Sequence, residues 1–194
     1  MDIPVIAIDG PSATGKGTLA ASLAAHMGFH LLDSGSLYRI LGVAVARAGL
    51  SLDETETIAQ FARNLDIEFG SYGPGSVALD GEDISLIIRT DLGSDMASKV
   101  GAIPAARDAL LDRQLAFRKS PGLVADGRDM GTVVFPDASV KFFLTASIEA
   151  RAERRYKQLL DKGIDAIFPA LLRELDQRDA RDRSRSVSPM QPAE

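Results

Sequence analysis

The stretch from Gly10 to Thr18, which reads Gly-Pro-Ser-Ala-Thr-Gly-Lys-Gly-Thr, constrains the fold of this chain more than any other. A short apolar run over residues 4–8 precedes it, and this β-branched run predicts a buried strand. An Ala- and Leu-rich segment over residues 19–27 follows it and predicts a helix. Glycines on a strand-to-helix turn are the setting that a phosphate-binding loop requires.

The residues of this loop can bind the phosphates of a nucleoside triphosphate. Backbone N–H groups converge on an anion at the positive end of the following helix, and Lys16 adds a point charge. The predicted nucleotide-binding residues are Gly10, Pro11, Ser12, Ala13, Thr14, Gly15, Lys16, Gly17 and Thr18. Gly17 stands where the general pattern has Ser or Thr, so the usual hydroxyl ligand for a metal is missing there, although Thr18 offers one nearby.

Composition narrows the class of protein. The chain has 194 residues, 45% of them hydrophobic, which suits a single domain over 1–194 with a proper core. The absence of cysteine excludes disulfides, thiol catalysis and cysteine-ligated zinc. No apolar run is long enough for a membrane span and no export signal precedes the first strand, so we expect a cytoplasmic protein. A net charge of −5 means that the surface as a whole does not attract nucleic acid, which is itself negatively charged.

Alternating strands and helices predict an α/β fold, with a parallel sheet flanked by helices on both faces. Further strands are expected near 29–32, 123–126 and 140–144, and helices near 36–48, 53–65, 90–101 and 104–119. Asp53 and Glu56 form a candidate capping box for the second of these helices. Residues 66–85 alternate apolar and polar around a Gly-Pro-Gly turn, which predicts a small antiparallel hairpin inserted into the fold.

Arginines accumulate where a second phosphorylated ligand would need them. Arg128 and Asp129 follow a predicted buried strand directly, and such strand ends carry ligand-binding groups in open α/β sheets. Guanidinium groups suit phosphate because each offers several forked donors. Two later helices carry further charge clusters at helical spacing: Arg151, Arg154 and Arg155 in one, and Arg178, Asp182 and Arg185 in the other. For both helices, a solvated face with weak ion pairs is the open alternative.

Taken together, these motifs resemble those of the bacterial cytidylate kinases, over nearly the whole chain. The shared motifs are Asp9-Gly10-Pro11-Ser12 with Gly15-Lys16-Gly17-Thr18, Leu32-Asp33-Ser34-Gly35 with Tyr38-Arg39, Asp126-Gly127-Arg128-Asp129-Met130-Gly131-Thr132, and Arg178-Asp179 with Arg181-Asp182-Arg183 and Arg185. The resemblance implies a P-loop kinase that transfers the γ-phosphate of ATP, with Mg²⁺, to CMP or dCMP. It also implies that residues 66–100 form an inserted monophosphate-binding subdomain and that residues 147–165 form a short helical lid.

The resemblance further implies roles for individual residues. The implied catalytic residues are Lys16, Arg128 and Arg154, and the implied substrate-binding residues are Ser34, Arg39, Ser98, Arg107, Arg128, Asp129, Arg178, Asp182 and Arg185. Among these, Ser98, Arg107 and Asp129 resemble the cytosine readers of the family. Because cytosine carries an amino donor where uracil carries an acceptor, a carboxylate such as Asp129 favours cytosine. No metal-ligating residue is assigned.

The chain departs from the family pattern at its C-terminal end, and two alternative functions are also considered. Members of the family continue past the position of Pro189 with an apolar strand and a helix, so we expect a sheet one strand short beside residues 140–144. We expect a monomer with no nucleic-acid or membrane partner. The alternatives are a P-loop kinase for another small acceptor, such as UMP or a sugar acid, and a nucleotide-binding module without turnover.

Overall fold

The computed structural model describes residues 3–73, 75–161 and 163–194. The chain forms two compact units, one comprising Met1–Asp33 with Leu115–Glu194 and the other Ser34–Gln114. The strands are β1 (Val5–Asp9), β2 (His30–Asp33), β3 (Ile67–Phe69), β4 (Val77–Leu79), β5 (Glu82–Asp83), β6 (Leu123–Gly127) and β7 (Val140–Phe143). The helices are α1 (Lys16–Met27), α2 (Ser34–Arg47), α3 (Thr55–Asn64), α4 (Asp91–Val100), α5 (Pro104–Leu115), α6 (Ile148–Leu160) and α7 (Phe168–Ser184).

The first unit is built on a parallel four-stranded sheet with the order β2-β6-β1-β7. Its central strands β1 and β6 are buried along their whole length, as near-continuous apolar runs in parallel sheets are. Small residues of α1, Ala20 and Ala24, pack against Ile6, Ile8 and Val124, so the helix lies close to the sheet. The predicted parallel sheet is therefore confirmed.

The carboxyl ends of these strands place acidic residues at one edge of the sheet. Asp33 is in register with Asp126, and Asp9 is in register with Gly127. Because the strands are parallel, these ends meet at the same edge, where open α/β sheets bind their ligands. At one side of the sheet, β7 exposes Val140 and Phe142, and no strand pairs with its outer edge in the part of the chain that the structure describes.

The second unit contains the predicted antiparallel insertion. Strands β3, β4 and β5 pair antiparallel in that order, and helices α2–α5 enclose a core that includes Leu41, Ile58 and Leu110. Helix α2 packs closely on α4, since a Cβ added to Gly42 would lie 2.7 Å from Cβ of Met96.

Several predicted element boundaries were wrong. The predicted capping box of Asp53 and Glu56 does not form, because α3 begins at Thr55 with Glu54 as its N-cap. Glu54 instead accepts a hydrogen bond from the backbone N–H of Ser51 at 2.7 Å. Helix α5 ends at Leu115, before the predicted end at residue 119. A π-helical turn over Met130–Val134 was not predicted.

Helices α6 and α7 pack against each other in the first unit. Ser147 caps α6 by accepting from the N–H of Ala150. The ring of Tyr156 meets that of Phe168 edge to face, with centroids 6.1 Å apart.

Candidate active site

The loop between β1 and α1 has a backbone that only certain residues can adopt. Gly10 has φ +139°, and a Cβ at this position would lie 2.1 Å from the carbonyl oxygen of Leu144. Ala13 and Gly15 also have positive φ, at +60° and +99°. The chain therefore curls on itself before α1 begins, with Gly15 as an N-cap that has no side chain to occupy the helix's first N–H groups.

Lys16 is buried within this loop. Its Nζ donates to the carbonyl oxygen of Pro11 at 2.8 Å and lies 3.9 Å from Oδ1 of Asp126, and the residue is only 5% exposed. Burial, followed by the positive charge of Arg128, lowers the pKa of Lys16 to about 7, although Asp126 opposes the shift. An anion bound at the loop would favour the charged form of this lysine.

Asp126 is the last residue but one of β6 and lies beside the first turn of α1. Burial raises the pKa of its carboxyl to about 6, while Lys16 opposes that rise and the neighbouring Asp33 adds to it. A Cβ added to Gly17 would lie 3.3 Å from Oδ2 of Asp126. A side chain at position 17 would therefore press on this carboxylate, which would have to shift by a few tenths of an ångström.

An arginine cluster surrounds Asp182 on α7. Arg128 donates from Nε to Oδ2 of Asp182 at 3.1 Å, and Nε of Arg178 lies 4.0 Å from the same oxygen. Burial opposes ionisation of Asp182, but the guanidinium groups, including that of Arg185, outweigh it and lower the pKa of this carboxyl. Arg128 and Arg178 are also close enough to Lys16 to lower its pKa. The predicted residues Lys16, Arg128, Arg178, Asp182 and Arg185 therefore share one electrostatic environment.

Asp9 holds the turn that carries Arg128 and Asp129. Its two carboxylate oxygens accept from the backbone N–H groups of Met130 and Gly131, both at 2.8 Å. Burial raises the pKa of Asp9 to about 6, although these two hydrogen bonds lower it. Asp9 was not among the predicted site residues. Its signal in the sequence was an acidic residue at the end of a buried strand.

Two arginines of α6 contact the phosphate-binding loop through its backbone. Arg154, predicted as a catalytic residue, donates from Nη1 to the carbonyl oxygen of Thr14 at 2.5 Å. Arg151 donates from Nη1 to the carbonyl oxygen of Ser12 at 3.2 Å and forms a bidentate pair with Asp179. The sequence grouped Arg151 with Arg154 by helical spacing, but it did not predict the pair with Asp179.

Four predicted substrate-binding residues lie in the second unit. They are Ser34, Arg39, Ser98 and Arg107. Ser34 begins α2, and Ser34, Ser98 and Arg107 are buried. Arg107 donates from Nη1 to the carbonyl oxygen of Gly101 at 3.1 Å, and its guanidinium lies 5.2 Å from the ring centroid of Tyr38. The aromatic ring and the carbonyl together fix the direction in which this guanidinium points.

Comparison with known proteins decides the family. Residues 6–194 match the cytidylate kinase family. The chain belongs to that family. A cytidylate kinase of Cupriavidus necator is 56% identical over 192 residues, which cover 99% of this chain and 85% of the relative. Cytidylate kinases of Colwellia psychrerythraea and Pseudomonas aeruginosa are 55% and 54% identical, covering 98% and 99% of this chain and 85% of each relative.

Membership confirms the family resemblance, the fold class and the enzyme class that the sequence predicted. The activity of the family is the phosphorylation of CMP and dCMP, by kinases that use ATP. Within residues 3–73, 75–161 and 163–194, no helix combines the length and the apolar character that crossing a bilayer requires.

Proposed function

We propose that this chain transfers the γ-phosphate of ATP, together with Mg²⁺, to CMP or dCMP and releases ADP with CDP or dCDP. The observation that carries the proposal is the buried cluster of Arg128, Arg178 and Asp182 beside Lys16. In this cluster the guanidinium groups of Arg128 and Arg178 share the carboxylate of Asp182, and their positive charge reaches Lys16. Phosphoryl transfer needs such compensation for the charge on the transferring oxygens more than it needs covalent chemistry.

On the donor side, we assign the loop from Gly10 to Thr18 to the phosphates of ATP. Lys16 would exchange its hydrogen bond to the carbonyl of Pro11 for one to a phosphate oxygen, because an anion restores the charged ammonium that burial disfavours. Arg154, near the loop, would add a second cation during transfer. In this assignment Lys16, Arg128 and Arg154 are the catalytic residues.

The residues at the sheet edge fit a magnesium ion. Mg²⁺ at phosphoryl-transfer sites usually takes one or two carboxylates, substrate phosphates and water, so a cage of protein ligands is not required. Asp126 offers a carboxylate beside Gly17, and Asp33 is its register neighbour. We propose that these two carboxylates hold the ion directly or through water. When bound, Mg²⁺ supplies charge neutralisation to the phosphates.

On the acceptor side, the proposed site residues follow the family resemblance. Ser34 and Arg39 would bind the phosphate and sugar, and Arg178, Asp182 and Arg185 would contribute contacts to the ribose and phosphate. The proposed cytosine readers are Ser98, Arg107 and Asp129, with the carboxylate of Asp129 accepting from the amino group of cytosine. No general base is needed, because the attacking atom is already a phosphate oxygen. Residues 66–100 are the proposed monophosphate-binding insertion, and residues 147–165 the proposed lid.

A coupled assay of ADP release tests this function, with CMP, dCMP, UMP and AMP compared at equal concentration. We expect turnover with CMP and dCMP and much slower turnover with UMP and AMP. The acceptor assignment fails if UMP or AMP reacts faster than both cytosine nucleotides. ATP binding without ADP release for any acceptor would instead indicate a binding module. We also propose a cytoplasmic monomer, and light scattering of the purified chain tests the oligomeric state.

A further inference from the structure

Two arginine side chains of α6 donate hydrogen bonds to alternate backbone carbonyl groups of the phosphate-binding loop. The carbonyl of Ser12 accepts from Arg151 at 3.2 Å, and the carbonyl of Thr14 accepts from Arg154 at 2.5 Å. The C=O and N–H of one trans peptide point in opposite directions. Fixing these two carbonyls towards α6 therefore turns the N–H groups of Ala13 and Gly15 away from α6.

Arg151 is the more firmly held of the two arginines. Its guanidinium forms two hydrogen bonds to Asp179 of α7, at 3.1 and 2.6 Å, and its Nε donates to the carbonyl oxygen of Ala146 at 3.2 Å. Arg151 is 3% exposed and Asp179 is 2% exposed. Every nitrogen of this guanidinium thus has a fixed acceptor, and the donor to Ser12 has little freedom to move.

Stability alone is a poor explanation for this buried ion pair. Removing two charges from water costs about as much as their attraction returns, so apolar side chains of similar volume often serve folding equally well. The loop, by contrast, carries a conformation that needs support, since Ala13 has φ +60° without being glycine. An apolar pair could not supply the hydrogen bonds from Arg151 to the carbonyls of Ser12 and Ala146, and of these two carbonyls only that of Ser12 belongs to the loop.

We propose that Asp179 and Arg151 are positioning residues for the phosphate-binding loop: Asp179 orients Arg151, which holds the carbonyl of Ser12 so that the N–H of Ala13 is preset to receive a phosphate. The inference rests on the proposed use of this loop for ATP. It assigns a function to a buried ion pair that contacts no substrate. It also places the first turns of the proposed lid in direct contact with the loop.

Loss of the hydrogen bond from Arg151 to Ser12 should weaken the binding of the donor nucleotide and leave that of the acceptor unchanged. Without the hydrogen bond from Arg151, the peptide between Ser12 and Ala13 can rotate. ATP binding must then include the free-energy cost of ordering this peptide. ATP and ADP should both bind about tenfold to a hundredfold more weakly, the range expected for losing one charge-assisted hydrogen bond. The KM for CMP should stay within about twofold of the parent value, because no acceptor contact is altered.

The test compares variants of the full chain by calorimetric titration with ATP and with ADP, by thermal melting and by KM for each substrate. The double variant Arg151→Met, Asp179→Leu replaces the ion pair with apolar side chains. It should melt near the parent temperature but bind ATP weakly. Arg151→Lys keeps a charge for Asp179 but lacks the planar guanidinium that bonds both oxygens of Asp179 and the carbonyl of Ser12 in one fixed geometry, so it should show the same loss. Arg183→Gln is the matched control, since Arg183 reaches the same carboxylate only from solvent, at 3.7 Å.

Three outcomes decide the proposal. Weak ATP binding in both Arg151 variants, with melting retained in at least one and the Arg183 variant unchanged, supports it. Parent-like ATP affinity in either folded Arg151 variant overturns it, as does an equal rise in KM for ATP and CMP. The proposed function fails separately, because a parent chain that binds ATP but phosphorylates neither CMP nor dCMP refutes the acceptor assignment and leaves the loop comparison valid.

Discussion

Arg128 and Asp182, 54 positions apart in sequence, form a hydrogen-bonded ion pair with Nε and Oδ2 separated by 3.1 Å. The carboxylate also interacts with the charges of Arg178 and Arg185, so one buried anion serves three guanidinium groups. If the carboxylate of Asp182 were removed, the three guanidinium groups would lie close together with no negative charge between them. Asp182 therefore allows a cationic site to exist in the folded chain before any phosphate arrives.

Asp182→Asn tests this dependence through stability. We expect the free energy of unfolding at pH 7 to fall by about 3 kcal/mol, as for other buried pairs that lose one partner. Because the pKa of Asp182 in the folded chain lies below its ordinary value of 3.8, the stabilisation is present above pH 3.8. This stabilisation is lost as the pH falls through the pKa that Asp182 has in the folded chain. Urea unfolding of parent and variant between pH 3 and pH 7 measures the difference.

The matched control for that experiment is Asp176→Asn, an exposed aspartate on the same helix. It should change the free energy of unfolding by less than about 0.5 kcal/mol at every pH. Equal effects of the two substitutions would contradict the role given to Asp182.

The ionisation of Lys16 should make the affinity for ATP depend on pH. Burial lowers the pKa of Lys16 to about 7, so the ammonium that would bind phosphate is partly lost above that pH in the free enzyme. We expect the dissociation constant of ATP to rise by up to about tenfold per pH unit between pH 7.5 and 9. Phosphate groups are fully ionised in this range, so the change belongs to the protein. Titration calorimetry at several pH values checks it.

Lys16→Met provides the control for the pH profile. The variant should lose about a hundredfold to a thousandfold in kcat, the effect of removing one donor to developing charge. Its dissociation constant for ATP should no longer change between pH 7.5 and 9. A pH dependence that persists in the variant would assign the titration to another group.

Local patterns made the donor half of the site predictable. The strand, the glycine-rich turn and the helix of residues 4–27 are each specified by neighbouring residues, and the structure places them as predicted. The same holds for the hairpin, where alternation and a Gly-rich turn predict β3 and β4. In these segments, local preference and tertiary packing agree.

Contacts between distant positions were not predictable from one sequence. The hydrogen bond from Arg151 to the carbonyl of Ser12 spans 139 positions, and that from the N–H of Gly131 to the carboxylate of Asp9 spans 122. Helical spacing showed that Arg151 and Arg154 share a face, but not which surface that face meets. The capping box failed for a local reason: Glu54 reached back to Ser51, so the helix started two residues after Asp53 rather than directly after it.

Tyr38 is expected to orient Arg107 for acceptor binding. The guanidinium lies 5.2 Å from the tyrosine ring, a distance at which the cation–π attraction is effective. Tyr38→Leu removes the ring and should raise the KM for CMP by about threefold to tenfold, while Tyr38→Phe keeps the ring and should have a smaller effect. The KM for ATP should not change in either variant. Equal KM values for CMP in the two variants would exclude the ring as the orienting group.

Gly10 is a position where the backbone itself sets the residue type. A Cβ there would lie 2.1 Å from the carbonyl oxygen of Leu144, and φ is +139°. Since a backbone atom cannot yield as a flexible side chain can, Gly10→Ala should lower the free energy of unfolding by about 4 kcal/mol. Gly28→Ala is the control, because Gly28 has φ +66° but nothing within 4 Å of an added Cβ. Its cost should be about 1 kcal/mol, from conformation alone.

Comparing the two alanine variants isolates what is particular to Gly10. Thermal and urea unfolding of both should give a difference of about 3 kcal/mol, which combines the clash with Leu144 and the greater strain of an alanine at φ +139° than at +66°. Similar losses in the two variants would mean that the loop can move away from β7. In that case its geometry would be set by the contacts from α6 rather than by the approach of Gly10 to Leu144.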